Sequence, residues 1–382
     1  MSDVILPFPD IPEPVCLQNP LVYLDIQLEE EYIGRVVIEL RADVVPRTSE
    51  NFRCLCTGER GIGNNGRPLH YKGIPFHKVT RVYAAMSGDI INFNGTSGES
   101  IYGPIFKDEN FVLKHEEGVV GMTNCSLPNT NNSQFFITTV DCHHMDGSNV
   151  VFGKVLRGLG VIVEVEKFSD HEGRPSKKVF IADCGEIKPG EDWGFCDRDE
   201  TAEKLPPFPQ DWNRKNDKFN PLEINEVLTS IRNSGNYFYK NNRFVEALRK
   251  YKKADRFLKM FKNKYTWKEA EKNGVKTVLE EFSILNNLNI AAVDLKMMKF
   301  GSVVEKCNDV IALDPHNSKA FFRRGLANKF LKNYDESLND LKMSSILSPG
   351  DKLITQEVHD VQKLHKEYYH YQQAQMQNLF KY

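Results

Sequence analysis

Two sets of polar residues stand out for the chemistry their types and spacing allow. The first lies in "FHKVTRVYAAMSGD", Phe76 to Asp89. Lys78 comes two residues after an aromatic, a polar-poor run with Tyr83 and Met86 follows, and Ser-Gly-Asp marks a turn. A cation beside an apolar floor suits a ligand that offers a polar group next to an apolar one. Lysine is a limited choice for that work, being a strongly hydrated point charge without arginine's planar fork. The second set is Arg232, Asn236, Asn289, Lys319 and Arg323. Lys319 precedes Arg323, and Arg232 precedes Asn236, by one helical turn, so each pair shares a face. Cations and carboxamides converging on a groove suit a ligand with several carboxylates, including a chain terminus. Arginine offers a bidentate fork, lysine a point charge, and asparagine donates and accepts along a peptide backbone.

The elements that must position these residues divide the chain in two. With 382 residues it is long for one core and comfortable for two domains. Residues 19–187 read as β-rich. Val22, Leu24, Ile26 and Leu28 alternate with polar or aromatic neighbours, Gly34 is expected to break the run, and Val36, Ile38 and Leu40 resume it. Phe135–Val140, Val150–Val155 and Val179–Ala182 are further short strand candidates, and a helix is expected after Pro46 with Phe52, Leu55 and Cys56 on one face. Many short strands with Gly, Asn and Pro turns point to a closed or nearly closed barrel. Residues 188–221, with "LPPFPQDW", read as a linker carrying sticky aromatics. Residues 1–18 read as a flexible arm without the basic start or apolar core of a signal peptide.

Helical periodicity takes over from residue 222. Pro315 and Pro349 close helical stretches 349 − 315 = 34 residues apart. Gly235, Ala291 and Gly325 are each followed nine residues later by an aromatic, Phe244, Phe300 and Tyr334. That period and those residue types predict three tetratricopeptide repeats over residues 222–354, forming a short superhelix with a concave face. The first spacing is longer, 291 − 235 = 56, so the charged stretch Phe261–Thr277 is expected to lengthen the helices or the turn between them. A capping helix is expected over residues 355–382, with Leu364, Tyr368, Tyr371 and Ala374 on its packed face.

Bulk composition narrows the function classes. A net charge of −2 gives no pull toward nucleic acid or an anionic membrane, and no apolar run approaches a membrane span. Eight irregularly spaced cysteines suit reduced, mostly buried thiols rather than a disulfide framework. His70, His77, His115, His143 and His144 match no common metal spacing, and no cofactor is expected. The location expected is cytoplasmic, with the nucleus as a second compartment.

The helical half resembles the carboxylate-clamp tetratricopeptide domains that hold the acidic C-terminal tails of heat-shock chaperones. Their pattern is Lys and Asn in repeat one, Asn in repeat two, and Lys and Arg in repeat three. Here those positions read Arg232, Asn236, Asn289, Lys319 and Arg323, with Arg232 the one departure. The resemblance implies the tail of the 90-kDa heat-shock chaperone as partner, the 70-kDa one as a further candidate, and client proteins besides.

The β-rich half resembles the cyclophilins over its whole length. The stretches that carry this are "TSENFRCLCTGERG", "LHYKGIPFHKV", "NGTSGESIYG", "FKDENF", "NTNNSQFFIT" and "DGSNVVFGKV". The fold implied is an eight-stranded antiparallel barrel capped by two helices, and the domain order is similar to that of the large cyclophilin co-chaperones. The family activity is cis–trans isomerisation of X-Pro bonds. Its barrier of about 18–20 kcal/mol comes from amide resonance, so catalysis means holding proline in an apolar pocket while a donor stabilises the twisted amide. In the family that donor is an arginine in F-H-R-V; this chain has Lys78. Where the family reads F-M-x-Q-G-G-D, this chain has Tyr83, Ala84, Ala85, Met86, Ser87, Gly88 and Asp89. His144, Met145 and Asn149 stand for the usual tryptophan, leucine and histidine, and the A-N-A segment has become Thr123-Asn124-Cys125, while Gln134 and Phe136 persist. The resemblance therefore implies isomerase activity that is very weak or absent, weak cyclosporin binding, and a pocket still able to take extended peptide. A working isomerase carrying a targeting module is the alternative.

Overall fold

The computed structural model describes residues 14–124, 127–194, 199–212 and 219–379, which form two compact units. The first contains β1 (Leu21–Leu28), β2 (Glu31–Leu40), α1 (Pro46–Thr57), β3 (Lys78–Thr80), β4 (Ala84–Ser87), β5 (Val119–Met122), β6 (Phe135–Thr138), β7 (Val151–Arg157), α2 (Leu159–Glu166) and β8 (Val179–Ile187). The strands form one sheet in the order β3-β4-β6-β5-β7-β2-β1-β8, with antiparallel neighbours throughout. The segment entering β3 closes it against β8. Gly73 N–H donates to Ile181 O at 2.7 Å, and Phe76 N–H to Val179 O at 3.0 Å.

Period-2 alternation builds the interior. Val22, Leu24, Ile26, Val36, Ile38 and Leu40 are fully buried with Phe52 and Leu55 of α1. Each such side chain contributes about 1.5–3 kcal/mol by leaving water. The expected break at Gly34 is corrected: the chain reverses at Glu29–Glu30, and Gly34 lies inside β2 at a register shift opposite Ile26. Its φ of +154° favours glycine, and a Cβ there would sit 2.8 Å from Val161 Cγ2. A strand interior can thus hold a glycine that looks like a turn.

Of the expected arm and linker, residues 1–13, 195–198 and 213–218 lie outside the described residues, and several of those described are held by the barrel. The buried Glu39 carboxylate accepts from Val15 N–H at 3.0 Å, Cys16 N–H at 3.1 Å and Asn19 Nδ2 at 2.7 Å. Residues 204–212 belong to the barrel unit and 200–203 to the helical one. Phe208 enters the barrel core beside Val161, and Asp211 accepts from Gly158 N–H at 2.8 Å, while Arg157 Nη1 donates to Asp211 O.

The second unit comprises α3 (Pro221–Lys240), α4 (Phe244–Lys264), α5 (Trp267–Lys272), α6 (Val275–Lys296), α7 (Phe300–Leu313), α8 (Ser318–Phe330), α9 (Tyr334–Leu347) and α10 (Lys352–Leu379). α3 starts with Pro221 behind Asn220, whose side chain and that of Glu223 form a reciprocal cap. Three hairpins follow, and one turn geometry recurs in them. Asn242, Met298 and Lys332 take positive φ of 58°, 58° and 63°. The next residue in each case donates back across the helix end: Arg243 to Phe238 O, Lys299 to Asp294 O and Asn333 to Asn328 O, at 3.0, 2.8 and 2.9 Å. The stretch expected to lengthen the first interval does so in both ways. α4 and α6 have 21 and 22 residues against 13 and 14 for α8 and α9, and α5 occupies the connection.

α10 packs Val358 and Val361 against Leu338 and Leu341, and Tyr368 against Tyr334 at 5.4 Å between ring centroids. Tyr371 departs from the expected packed face, being 61% exposed, because the helix runs on past the last hairpin; the side chain of Ala374 lies outside the described residues. Among the described residues no helix is long and apolar enough to cross a membrane, and the described cysteines are free thiols, all buried except Cys16.

Candidate functional site

In the barrel, strand register places the first constellation. Lys78 of β3 lies opposite Met86 of β4, which lies opposite Phe136 of β6. Directly opposed residues bring their Cβ atoms within about 4.5–5.5 Å, so a cation, a thioether and a buried ring form one cross-strand row. Lys78 is exposed, Met86 half-buried and Phe136 buried. Ala84, two residues along β4 on the face of Met86, is buried and offers only a methyl group there. Phe136 stacks on His115 at 5.8 Å and 20°, and His115 Nδ1 lies 2.8 Å from an Asp146 oxygen. Burial lowers the His115 pKa, and its hydrogen bonds hold the Asp146 carboxyl down at about 2.

The rim comes from Tyr83, just before β4, and the turn at His143–Met145. Tyr83 stacks on His144 at 5.6 Å and 22°. Its hydroxyl lies 3.2 Å from Met145 Sδ and 3.4 Å from His144 Nε2. Amides brace the other loops: Asn149 Nδ2 donates to Met122 O at 2.9 Å, Asn124 Nδ2 to Ser148 O at 2.6 Å, and Gln134 Nε2 to Ser97 O at 2.7 Å. Cys125 lies outside the described residues. Ser97 is itself held by Asp89, a buried carboxylate that accepts from the N–H groups of Ile91, Asn92, Asn94, Gly95, Thr96 and Ser97. Burial raises the Asp89 pKa, but these donors outweigh it and the net shift is downward. The Ser-Gly-Asp turn is thus a loop organiser under the pocket rather than a reactive group.

The second constellation gathers around a residue that the sequence reading passed over, Tyr251 of α4. Asn236 Oδ1 accepts from the Tyr251 hydroxyl at 2.7 Å and from Asn289 Nδ2 at 3.4 Å. Arg323 Nη1 donates to Leu288 O, one residue before Asn289, at 2.6 Å. Arg232 lies 5.8 Å from the Phe282 ring, and its buried Nε has no hydrogen-bond partner. Burial raises the Tyr251 pKa, against the pull of the positive charges of Arg232 and Arg323. Burial likewise lowers the Arg323 pKa. Asn236, Asn289, Arg232 and Arg323 therefore come together, and Lys319 is exposed one turn before Arg323 on α8.

The small residues behind this site have a steric reason. A Cβ on Gly235 would lie 2.5 Å from Tyr251 Cε1, and one on Gly325 2.8 Å from Leu341 Cγ. Gly235 was legible as a place where helices approach closely, but nothing in the sequence identified Tyr251 as the side chain that fills the space.

Comparison with known proteins identifies the β-rich half and finds a relative that spans nearly the whole chain. Residues 23–186 match the family model of the cyclophilin-type peptidyl-prolyl cis-trans isomerases. Peptidyl-prolyl cis-trans isomerase D of Kluyveromyces lactis is 35% identical over 374 residues, covering 95% of this chain and 99% of that protein. With its strand order, its buried Phe136 and a relative aligned along nearly its full length, the chain belongs to the cyclophilin-type peptidyl-prolyl cis-trans isomerase family.

Proposed function

We propose that this chain is a co-chaperone. Its helical unit, read as three tetratricopeptide repeats, holds the acidic C-terminal tail of the 90-kDa heat-shock chaperone, and its barrel binds extended peptide with prolyl isomerase activity very weak or absent. The observation that carries this reading is the hydrogen-bonded centre Asn236–Tyr251–Asn289 with Arg232 and Arg323 beside it. Because Asn236 Oδ1 already accepts two hydrogen bonds, its Nδ2 is left to donate to a carboxylate oxygen. Asn289 aligns the main chain, and Arg323 and Lys319 meet the acidic side chains. The recurring turn at Asn242, Met298 and Lys332 supports the repeat reading.

The barrel part rests on Lys78 facing Met86 across β3 and β4. A thioether is a weak acceptor and cannot orient a cation as a carboxamide does. Loss of a fork and its buttress removes a donor of the kind worth about 2.7–4 kcal/mol in other enzymes.

Calorimetry with an acidic pentapeptide ending in Glu-Val-Asp tests the first part, with a micromolar Kd expected for the free acid and a large loss for its C-terminal amide. Equal affinity for acid and amide, or no binding, sinks the docking reading. A turnover assay on a short X-Pro peptide tests the second. Ordinary family turnover there would put the working isomerase in place of the attenuated one.

A further inference from the structure

We infer that the Tyr83 hydroxyl is the donor through which the barrel pocket now grips a peptide carbonyl, making Tyr83 a specificity-determining residue for extended X-Pro segments. The inference rests on the proposal that the barrel still binds such peptides. It starts from how each polar group at the pocket is engaged. Asn149, Asn124 and Gln134 donate to main-chain carbonyl oxygens at 2.9, 2.6 and 2.7 Å, which brace loops and are costly to release. Lys78 is exposed and strongly hydrated. Tyr83 differs: its hydroxyl has a thioether sulfur at 3.2 Å and an imidazole nitrogen at 3.4 Å, a weak acceptor and a long contact.

A substrate carbonyl arriving at this rim would exchange a poor acceptor for a good one. The ring need not move to do so, because its stack on His144 at 5.6 Å and 22° holds it at the edge of the pocket. Tyr83 is half-buried, so its hydroxyl can be reached, and it adjoins Ala84, whose side chain is a single buried methyl. Tyr83, His144 and Met145 are three of the positions where the sequence departs from the cyclophilin pattern, and in the fold they form one cluster. Their joint change reads as a relocation of the hydrogen bond from the β3 cation to the rim.

The test is a fluorescence-anisotropy titration of the full chain with a labelled, end-blocked Ala-Ala-Pro-Phe peptide. Tyr83→Phe keeps the ring and its stack and should weaken binding about fivefold, equivalent to roughly 1 kcal/mol. Met145→Leu, close in volume, removes the competing sulfur and should tighten binding about twofold. A hydroxyl that only holds Met145 in place would instead make both variants weaken binding alike. Unchanged affinity in Tyr83→Phe, or weakening in both, overturns the inference while leaving peptide binding intact. Absence of binding by the wild type overturns it together with the peptide-site reading.

Discussion

The barrel pocket and the helical groove each set polar groups against an apolar floor, yet they hold those groups in different ways. In the pocket the side chain facing solvent, Lys78, contributes nothing to the core, while the groups that shape the loops, Asp89, Gln134 and Asn149, are bound into the backbone. Scaffold and chemistry are separable there, so a sequence can keep the first and change the second at little cost in stability. In the helical unit, Tyr251 and Asn289 both donate to Asn236 Oδ1, and Arg323 holds a carbonyl of the neighbouring hairpin. There the polar side chains are part of the hairpin packing itself, so they cannot drift without loosening the hairpins.

That contrast can be broken at several points. The largest effect is expected from charge reversal at Lys319 and Arg323 together. It should weaken the acidic pentapeptide at least a hundredfold by calorimetry, in line with about 2–5 kcal/mol for disrupting a buried charged contact. The barrel offers a gain instead. Lys78→Arg with Met86→Gln should raise kcat/KM on an X-Pro peptide by about two orders of magnitude, the worth of one positioned donor. If turnover stays flat, the pocket has lost more than its fork. Lys78→Ala alone should leave turnover almost as it is.

A pH experiment sharpens where the barrel ends. Burial raises the Asp211 carboxyl from 3.8 to about 6. The folded state thus favours the protonated acid, and this contribution is present below pH 3.8 and lost as pH rises through about 6. Asp211→Asn removes the charge and keeps an acceptor for Gly158 N–H. In denaturant unfolding it should match the wild type near pH 4 and exceed it by about 2 kcal/mol at pH 7.5. The smallest effect is expected in the groove. Arg232→Lys keeps the charge, and the pentapeptide Kd should move less than about threefold.

Much of the fold was readable because periodicity reports burial directly: alternation marked β1 and β2, and the small-residue-to-aromatic spacing marked the hairpins. Gly34 misled because glycine serves a strand bulge as well as a turn, and the strain that distinguishes them comes from Val161, far along the chain. The clamp candidates were legible as polar residues on matched helix faces. Tyr251 was not, since an aromatic on a packed helix reads as core until the position of its hydroxyl is known. Glu39 and Asp211 were hidden for a similar reason: a lone acidic residue in sequence gives no sign that it is buried against backbone donors.

Phe208 has a practical consequence. Its ring packs where Gly34 and Gly160 leave space, so a fragment stopped at Ile187 would carry an open apolar notch over α2. A fragment of the β-rich half that keeps this packing therefore has to extend past Ile187 to include Phe208.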